Sequence, residues 1–344
     1  MSLPSKTMKE LRNVTKEEFL RDIVPLARPV VLRGFGSKWE LVKKAAESTE
    51  AVCDYLKSFD RGEPAELMLG KPEIKGRFFY SDDMKGFNFE RTKTTLSKAL
   101  DRIHKHTGDQ QPPAIFAGSV PVNQCLPGLH EQLNSDLLDT RVGPRIWLGN
   151  RITVQTHYDR DSNIACVAAG RRRFTLFPPS QIHNLYSGPL DFTPAGQPIS
   201  MARLHDPDFA KFPRFKQALE AAEFAELDAG DAIYIPDLWW HHVESLEDFN
   251  VLVNFWWPGS QVVPDSAQTC MLHGLMSMRS LPEPVRMAWR EMFDYYVFQS
   301  KGDPMAHLEP DQRGVLGEFT PKTYASIKRS FVAQLQSEQP LKKQ

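Results

Sequence analysis

The stretch RITVQTHYDRDSN, residues 151–163, decides the fold. From Arg151 to Tyr158 polar and apolar residues alternate and β-branched side chains are frequent, which predicts a strand. Side chains two apart on a strand share a face, so His157 and Asp159 point together into whatever the sheet encloses, and Tyr158 points away. A third group of the same chemistry must come from a neighbouring strand. The stretch YIPDLWWHHVES, residues 234–245, offers one: the strand from Ala232 to Ile235, a turn at Pro236, and a second strand on which period 2 lets only one of His241 and His242 face inward. His241 is taken as that residue. Two imidazoles and one carboxylate on one side of an ion, with the other positions open, form the facial ligand set of non-haem Fe(II) centres. A lone His-x-Asp triplet is more often a structural pair than a metal site, so the surrounding motifs carry the argument.

Beyond Asp159 the chain continues as NIACVAAGRRRFTLFPPSQ, residues 163–181: a buried-type strand, a Gly turn, a basic cluster, a second strand and a Pro-Pro stop. Around His241 it runs DAGDAIYIPDLWWHHVESL, followed by NVLVNFWWPG, residues 250–259. Between Arg145 and Gly259 the chain carries HYD, an Asn four residues beyond that Asp, LFPP, GDxxYIPxxWWHHVES and VNFW. In these motifs it resembles the JmjC and cupin-like hydroxylases, and in particular their asparaginyl hydroxylases of the factor-inhibiting-HIF type. The resemblance implies a mainly β protein with α elements, built on a double-stranded β-helix (a cupin-like jelly roll). It implies Fe(II) held by His157, Asp159 and His241, 2-oxoglutarate as cosubstrate, and O2. The implied reaction is oxidative decarboxylation to succinate and CO2, coupled to hydroxylation of a substrate C–H bond. Position and electrostatics would be the protein's part; the oxidation belongs to the iron and cosubstrate.

The same resemblance assigns a cosubstrate pocket. The family's basic residue on the strand after the Gly turn, commonly Lys, falls at Arg172, which can grip a carboxylate with two parallel hydrogen bonds. Period 2 puts Arg171 and Arg173 on the other face, and a solvated strand edge is the plain alternative for the triplet. Asn163 and Asn254 fall on inward positions, where a carboxamide both donates and accepts; buried amides that satisfy the barrel backbone are the alternative. The family's hydroxyl donors are replaced: its Tyr aligns with Phe116, and its Thr three residues before the first His ligand aligns with Val154. Thr153 and Thr156 flank that position, and Thr153 is the candidate cosubstrate contact. Trp239, Trp240, Trp256 and Trp257 are expected as core and pocket wall.

Composition fits this without identifying it. The 344 residues are 41% hydrophobic and 25% charged with a net charge of −1, enough for a substantial core and no footprint for a polyanion partner. Cys53, Cys125, Cys166 and Cys270 are scattered without CxxC spacing and are expected to be reduced. No stretch approaches 18 apolar residues and the N-terminus lacks an apolar signal region, so a cytoplasmic protein with no membrane contact is expected.

The expected organisation is an α/β N-terminal cap over 1–110, the β-helix core over 111–259 with an insert at 186–226, C-terminal helices over 260–336 and a disordered tail from 337 to 344. In the leader, Thr15 and Glu18 form a capping box before a short helix that ends near Pro25. RPVVLRGF is a strand, STEAVCDYLKSF and TLSKALDRIHK are helices, and AELMLG with GRFFYS is expected as a strand pair. PPAIFAG and PRIWLGN are expected as the first barrel strands. The C-terminal helices carry a broad apolar face, which in relatives makes a homodimer. Three readings stay open: a dioxygenase acting on a protein or peptide, with a small molecule or RNA as further substrates; a cupin-like metal-binding protein without 2-oxoglutarate turnover; and a Zn or Mn cupin enzyme independent of 2-oxoglutarate.

Overall fold

Ser162–Ala169 is buried at every position, so neither face of that strand meets water and the sheet that holds it must be covered on both sides. The computed structural model describes residues 6–258, 266–318 and 320–337. Its strands are β1 (Lys6–Thr7), β2 (Glu10–Arg12), β3 (Val30–Arg33), β4 (Ala65–Gly70), β5 (Phe89–Thr94), β6 (Ala114–Pro121), β7 (Pro144–Gly149), β8 (Thr153–Tyr158), β9 (Ser162–Ala169), β10 (Arg171–Phe177), β11 (Glu223–Asp228), β12 (Ala232–Ile235), β13 (Trp240–Ser245) and β14 (Asn250–Trp257). Five of them form a sheet in the order β1-β11-β10-β13-β8, and nine form a second in the order β2-β3-β12-β9-β14-β7-β6-β4-β5. This is the mainly β, cupin-like jelly roll with added helices.

Period 2 assigns the layers. Ala165 and Val167 of β9, with Ile233, Ile235 and Leu252, pack against Phe174, Leu176, Leu227 and Val243 of the smaller sheet. The intervening Ile164, Cys166 and Ala168 face the opposite way and share a core with Leu41, Val52, Leu56, Leu96, Leu100 and Ile103 from the leader helices. Those helices start where side-chain caps start them: Ser48 Oγ accepts from the Ala51 N–H at 3.0 Å, and Thr95 Oγ1 from the Lys98 N–H at 3.3 Å. In Leu96–Lys105 the buried residues Leu96, Ala99, Leu100 and Ile103 repeat at helical spacing, and each fully buried aliphatic side chain contributes about 1.5–3 kcal/mol.

Two local expectations meet a different outcome. The Thr15–Glu18 capping box is present, but the helix it opens lasts only Lys16–Glu18, then winds through a π turn at Phe19–Ile23 and a 3-10 turn at Val24–Leu26. Pro25 has no N–H with which to continue the ladder. AELMLG (β4) pairs with β5, not with GRFFYS. Gly76 sits at φ +78°, where a Cβ would lie 2.3 Å from Arg151 O, and Phe78 packs with Met68, Phe116 and Ile152; the segment turns into the core instead of running along a ladder. The insert, residues 186–226, builds a small core of its own against the strands. Leu185, Ala202, Leu204, Phe215 and Ala218 bury with Phe177 and Trp240, and Ile199 makes a bridge to His157.

The chain divides into two units, Met1–Gln261 and Val262–Gln344. The second contains the helices Ala267–Met278, Glu283–Tyr296 and Pro321–Ser337, with an apolar groove between Trp289, Phe293, Tyr324 and Phe331. The expected tail lies outside the described residues apart from Ser337. Among the described residues all four cysteines are free and no helix is long and apolar enough to cross a membrane.

Gly170 is the single residue that carries the chain from β9 in one sheet to β10 in the other. It holds φ +74°, and a Cβ there would meet Asn250 Oδ1 at 2.5 Å and Phe249 O at 2.6 Å. Gly170→Ala is therefore expected to destabilise the fold by about 2 kcal/mol or more, read as a lowered denaturant midpoint; an unchanged midpoint would contradict this crossing geometry.

Candidate metal and cosubstrate site

In the antiparallel pair β8–β13, His157 lies directly opposite His241. Side chains opposed in this way share a face. Asp159, two residues on, brings its carboxylate to both: His157 Nε2 is 4.0 Å from Oδ1 and His241 Nε2 is 3.6 Å from Oδ2. One ligand atom from each of the three lies within 4.8 Å of the others, close enough to share an ion.

The ring orientations are set from behind. His157 Nδ1 is 2.9 Å from Gln155 O and His241 Nδ1 is 3.0 Å from Trp239 O. A carbonyl only accepts, so each Nδ1 carries the proton and each Nε2 keeps its lone pair for the shared space. Burial, and then the neighbouring His157, pull His241 down to about 4, so it is neutral at pH 7, as a ligand must be. Trp256 Nε1 donates to Asp159 Oδ2 at 3.2 Å. His242 faces the other side of the sheet, with Nδ1 at 3.1 Å from Thr156 Oγ1.

A β-bulge decides the next positions. Val243 pairs with Val154, so β8 has one residue more than β13 between the two pairs. The bulge restores Val154 to the inward face beside Val243, and both line a cavity of about 440 Å³ that contains the His-Asp-His group. Thr153 pairs with Glu244 and its N–H donates to Gly76 O at 2.9 Å, which leaves it at the cavity's edge. Phe116 is part of the wall, stacked with Trp147 at 5.8 Å and Phe78 at 6.0 Å between centroids.

Arg172 enters the same cavity from β10. It is only 2% exposed, and its Nε and Nη2 have no hydrogen-bond partner among the described residues. Burial lowers it to about 9, which still leaves it charged at pH 7. A buried guanidinium is costly unless an anion pairs with it, so the donor set at this position suits an anionic ligand. Arg171 and Arg173 lie on the outer face and pair with Glu226.

The two asparagines meet each other. Asn254 Nδ2 donates to Asn163 Oδ1 at 3.1 Å, and Trp147 Nε1 donates to Asn254 Oδ1 at 2.7 Å. Both asparagines line the cavity; the amide of Asn254 is occupied by Asn163 and Trp147, while the amide nitrogen of Asn163 is not engaged in that pair. Trp256, expected as core and pocket wall, donates to Asp159, and Trp147, which sequence reasoning missed, donates to Asn254. Trp256 could have been found from its spacing, two residues from Asn254 on one strand face.

A model of the Cupin-like domain family matches residues 15–261. The chain belongs to this JmjC/cupin-like family of the 2-oxoglutarate-oxygenase type. Among the relatives of this Cupin-like chain, the tRNA wybutosine-synthesizing protein 5 of Gallus gallus is 29% identical over 276 residues, covering 74% of this chain and 78% of that protein. Lysine-specific demethylase JMJ30 of Arabidopsis thaliana is 26% identical over 267 residues, 74% of this chain and 56% of its own length. Lysine-specific demethylase JMJ31 of Arabidopsis thaliana is 39% identical over 102 residues, 30% of this chain and 18% of its own length.

The Trp256–Asp159 bond yields a test of the site. Trp256→Phe keeps the ring and removes the donor, and is expected to weaken Fe(II) affinity about tenfold or more in an anaerobic metal titration. His242→Ala, on the opposite face, is expected to leave metal affinity unchanged; equal losses in both variants would contradict the assignment.

Proposed function

We propose that this protein is an Fe(II)- and 2-oxoglutarate-dependent dioxygenase that hydroxylates a C–H bond of a protein side chain. The observation that carries the reading is the sharing of one cavity by a His-Asp-His group and an unpaired, buried arginine. His157 Nε2, the Asp159 carboxylate and His241 Nε2 would hold the iron. Arg172 would take the far carboxylate of 2-oxoglutarate, which supplies the charge its guanidinium lacks. Asn163 is placed to donate its amide to the keto-acid end or to a water beside it. With both bound, O2 would supply the oxidising power: one of its oxygen atoms enters the substrate C–H bond and the other enters succinate as 2-oxoglutarate loses CO2. The Phe116, Trp147 and Trp256 rings wall the space and keep bulk water from it.

A protein substrate is supported by the near-neutral net charge of −1 and by relatives named as lysine-specific demethylases. A tRNA substrate is the second reading, favoured by the match along most of the tRNA wybutosine-synthesizing protein.

Succinate release with Fe(II) and 2-oxoglutarate tests the reading, with pooled peptides and bulk tRNA offered separately. Stimulation by peptides is expected; stimulation by tRNA alone would move the assignment to the second reading. His157→Ala and Asp159→Ala are expected to abolish turnover. Arg172→Ala is expected to raise the half-saturating 2-oxoglutarate concentration about tenfold or more at unchanged iron affinity. Turnover that survives in the ligand variants would sink the metal assignment.

A further inference from the structure

Ser245 and Arg172 are cross-strand partners on β13 and β10, and both are buried. Opposed residues of an antiparallel pair present their side chains on one face, with Cβ atoms roughly 5 Å apart. On β13 that face carries His241, Val243 and Ser245 at period 2, and the first two line the cavity. Ser245 Oγ has no hydrogen-bond partner among the described residues, as is true of Arg172 Nε and Nη2. Arg172 is a lining residue of the cavity, and Ser245, which is not, is its cross-strand neighbour; three unsatisfied polar atoms thus sit on adjacent positions of one sheet face. Each such group costs about 1–3 kcal/mol when it stays unpaired.

One occupant resolves all three. A water molecule could bridge them but leaves the guanidinium charge uncompensated. A carboxylate accepts from both nitrogens of the arginine fork and from a hydroxyl, and also neutralises the charge. The two positions that align with the family's hydroxyl donors, Phe116 and Val154, present only carbon side chains to the cavity. We infer that Ser245 donates the hydroxyl hydrogen bond to the far carboxylate of the keto-acid cosubstrate, beside Arg172. The inference rests on the dioxygenase reading given above. Ser245 is a binding residue there, remote from the metal ligands in role but placed on the same strand face as His241.

The test compares two ligands on the full-length protein, loaded anaerobically with Fe(II), by calorimetric titration. 2-Oxoglutarate has the far carboxylate; 2-oxobutanoate has the same keto-acid end and lacks it. Ser245→Ala is expected to weaken 2-oxoglutarate binding about tenfold or more and to leave 2-oxobutanoate and Fe(II) binding unchanged. Because the variant removes an unsatisfied oxygen, its denaturant midpoint is expected to match or exceed that of the parent. Wild-type 2-oxoglutarate affinity in Ser245→Ala, or an equal loss for both ligands, would overturn the role of Ser245 while leaving the dioxygenase reading intact. Failure of the parent protein to bind 2-oxoglutarate at all would overturn both.

Discussion

The pairing of β8 with β13 puts His157 across from His241, and the chemistry of this protein depends on that register. A slip of one residue on β13 would turn His241 to the outer face and bring His242 inward, and the same slip on β8 would exchange His157 for Thr156; either separates the two imidazoles. The register is held from several directions. β13 is flanked by β10 on its other edge, Gln155 Nε2 donates to Ser200 O and Ala202 O at 2.9 Å each, and Trp240 buries in the small core of the insert. The insert therefore serves the site twice: it clamps the outer surface of the strands that carry it, and its Pro194, Gln197 and Ile199 line the cavity itself.

The second constraint is the charge of Arg172. The cavity walls are largely aromatic and aliphatic, and a guanidinium held there without a counter-ion works against folding. Such a group is tolerated where binding needs it, at the expense of stability in the empty protein. The neighbouring arginines show the contrast: on the same strand, but turned outward, Arg171 and Arg173 find Glu226 and lie partly in solvent. Alternation along one strand thus separates a surface ion pair from a site poised for an anion.

Much of this was legible in the chain itself because period 2 needs only local sequence. His157 with Asp159 and the inward positions of Asn163 and Asn254 follow from counting along a strand; the family resemblance singles out Arg172, and counting adds only that Arg171 and Arg173 face the other way. What counting along one strand does not show is the alignment of two. The bulge between the His157–His241 and Val154–Val243 pairs reverses the alternation on β8, which is why Thr153 sits at the cavity's edge and Val154 in the wall. Ser245 and Arg172 become neighbours only through the β10–β13 register. The GRFFYS segment was misleading for a related reason: its aromatic, strand-like composition serves packing at Phe78, and the backbone at Gly76 turns to meet Arg151.

The central claim is that one cavity holds a metal ion and a dicarboxylate at once. A crystal structure grown without oxygen in the presence of Mn(II) and 2-oxoglutarate tests it most directly. The account predicts an anomalous scattering peak within bonding distance of His157 Nε2, an Asp159 carboxylate oxygen and His241 Nε2, together with a carboxylate in hydrogen-bond contact with Arg172. Metal at the three side chains with water alone beside Arg172, or no metal there, would contradict it.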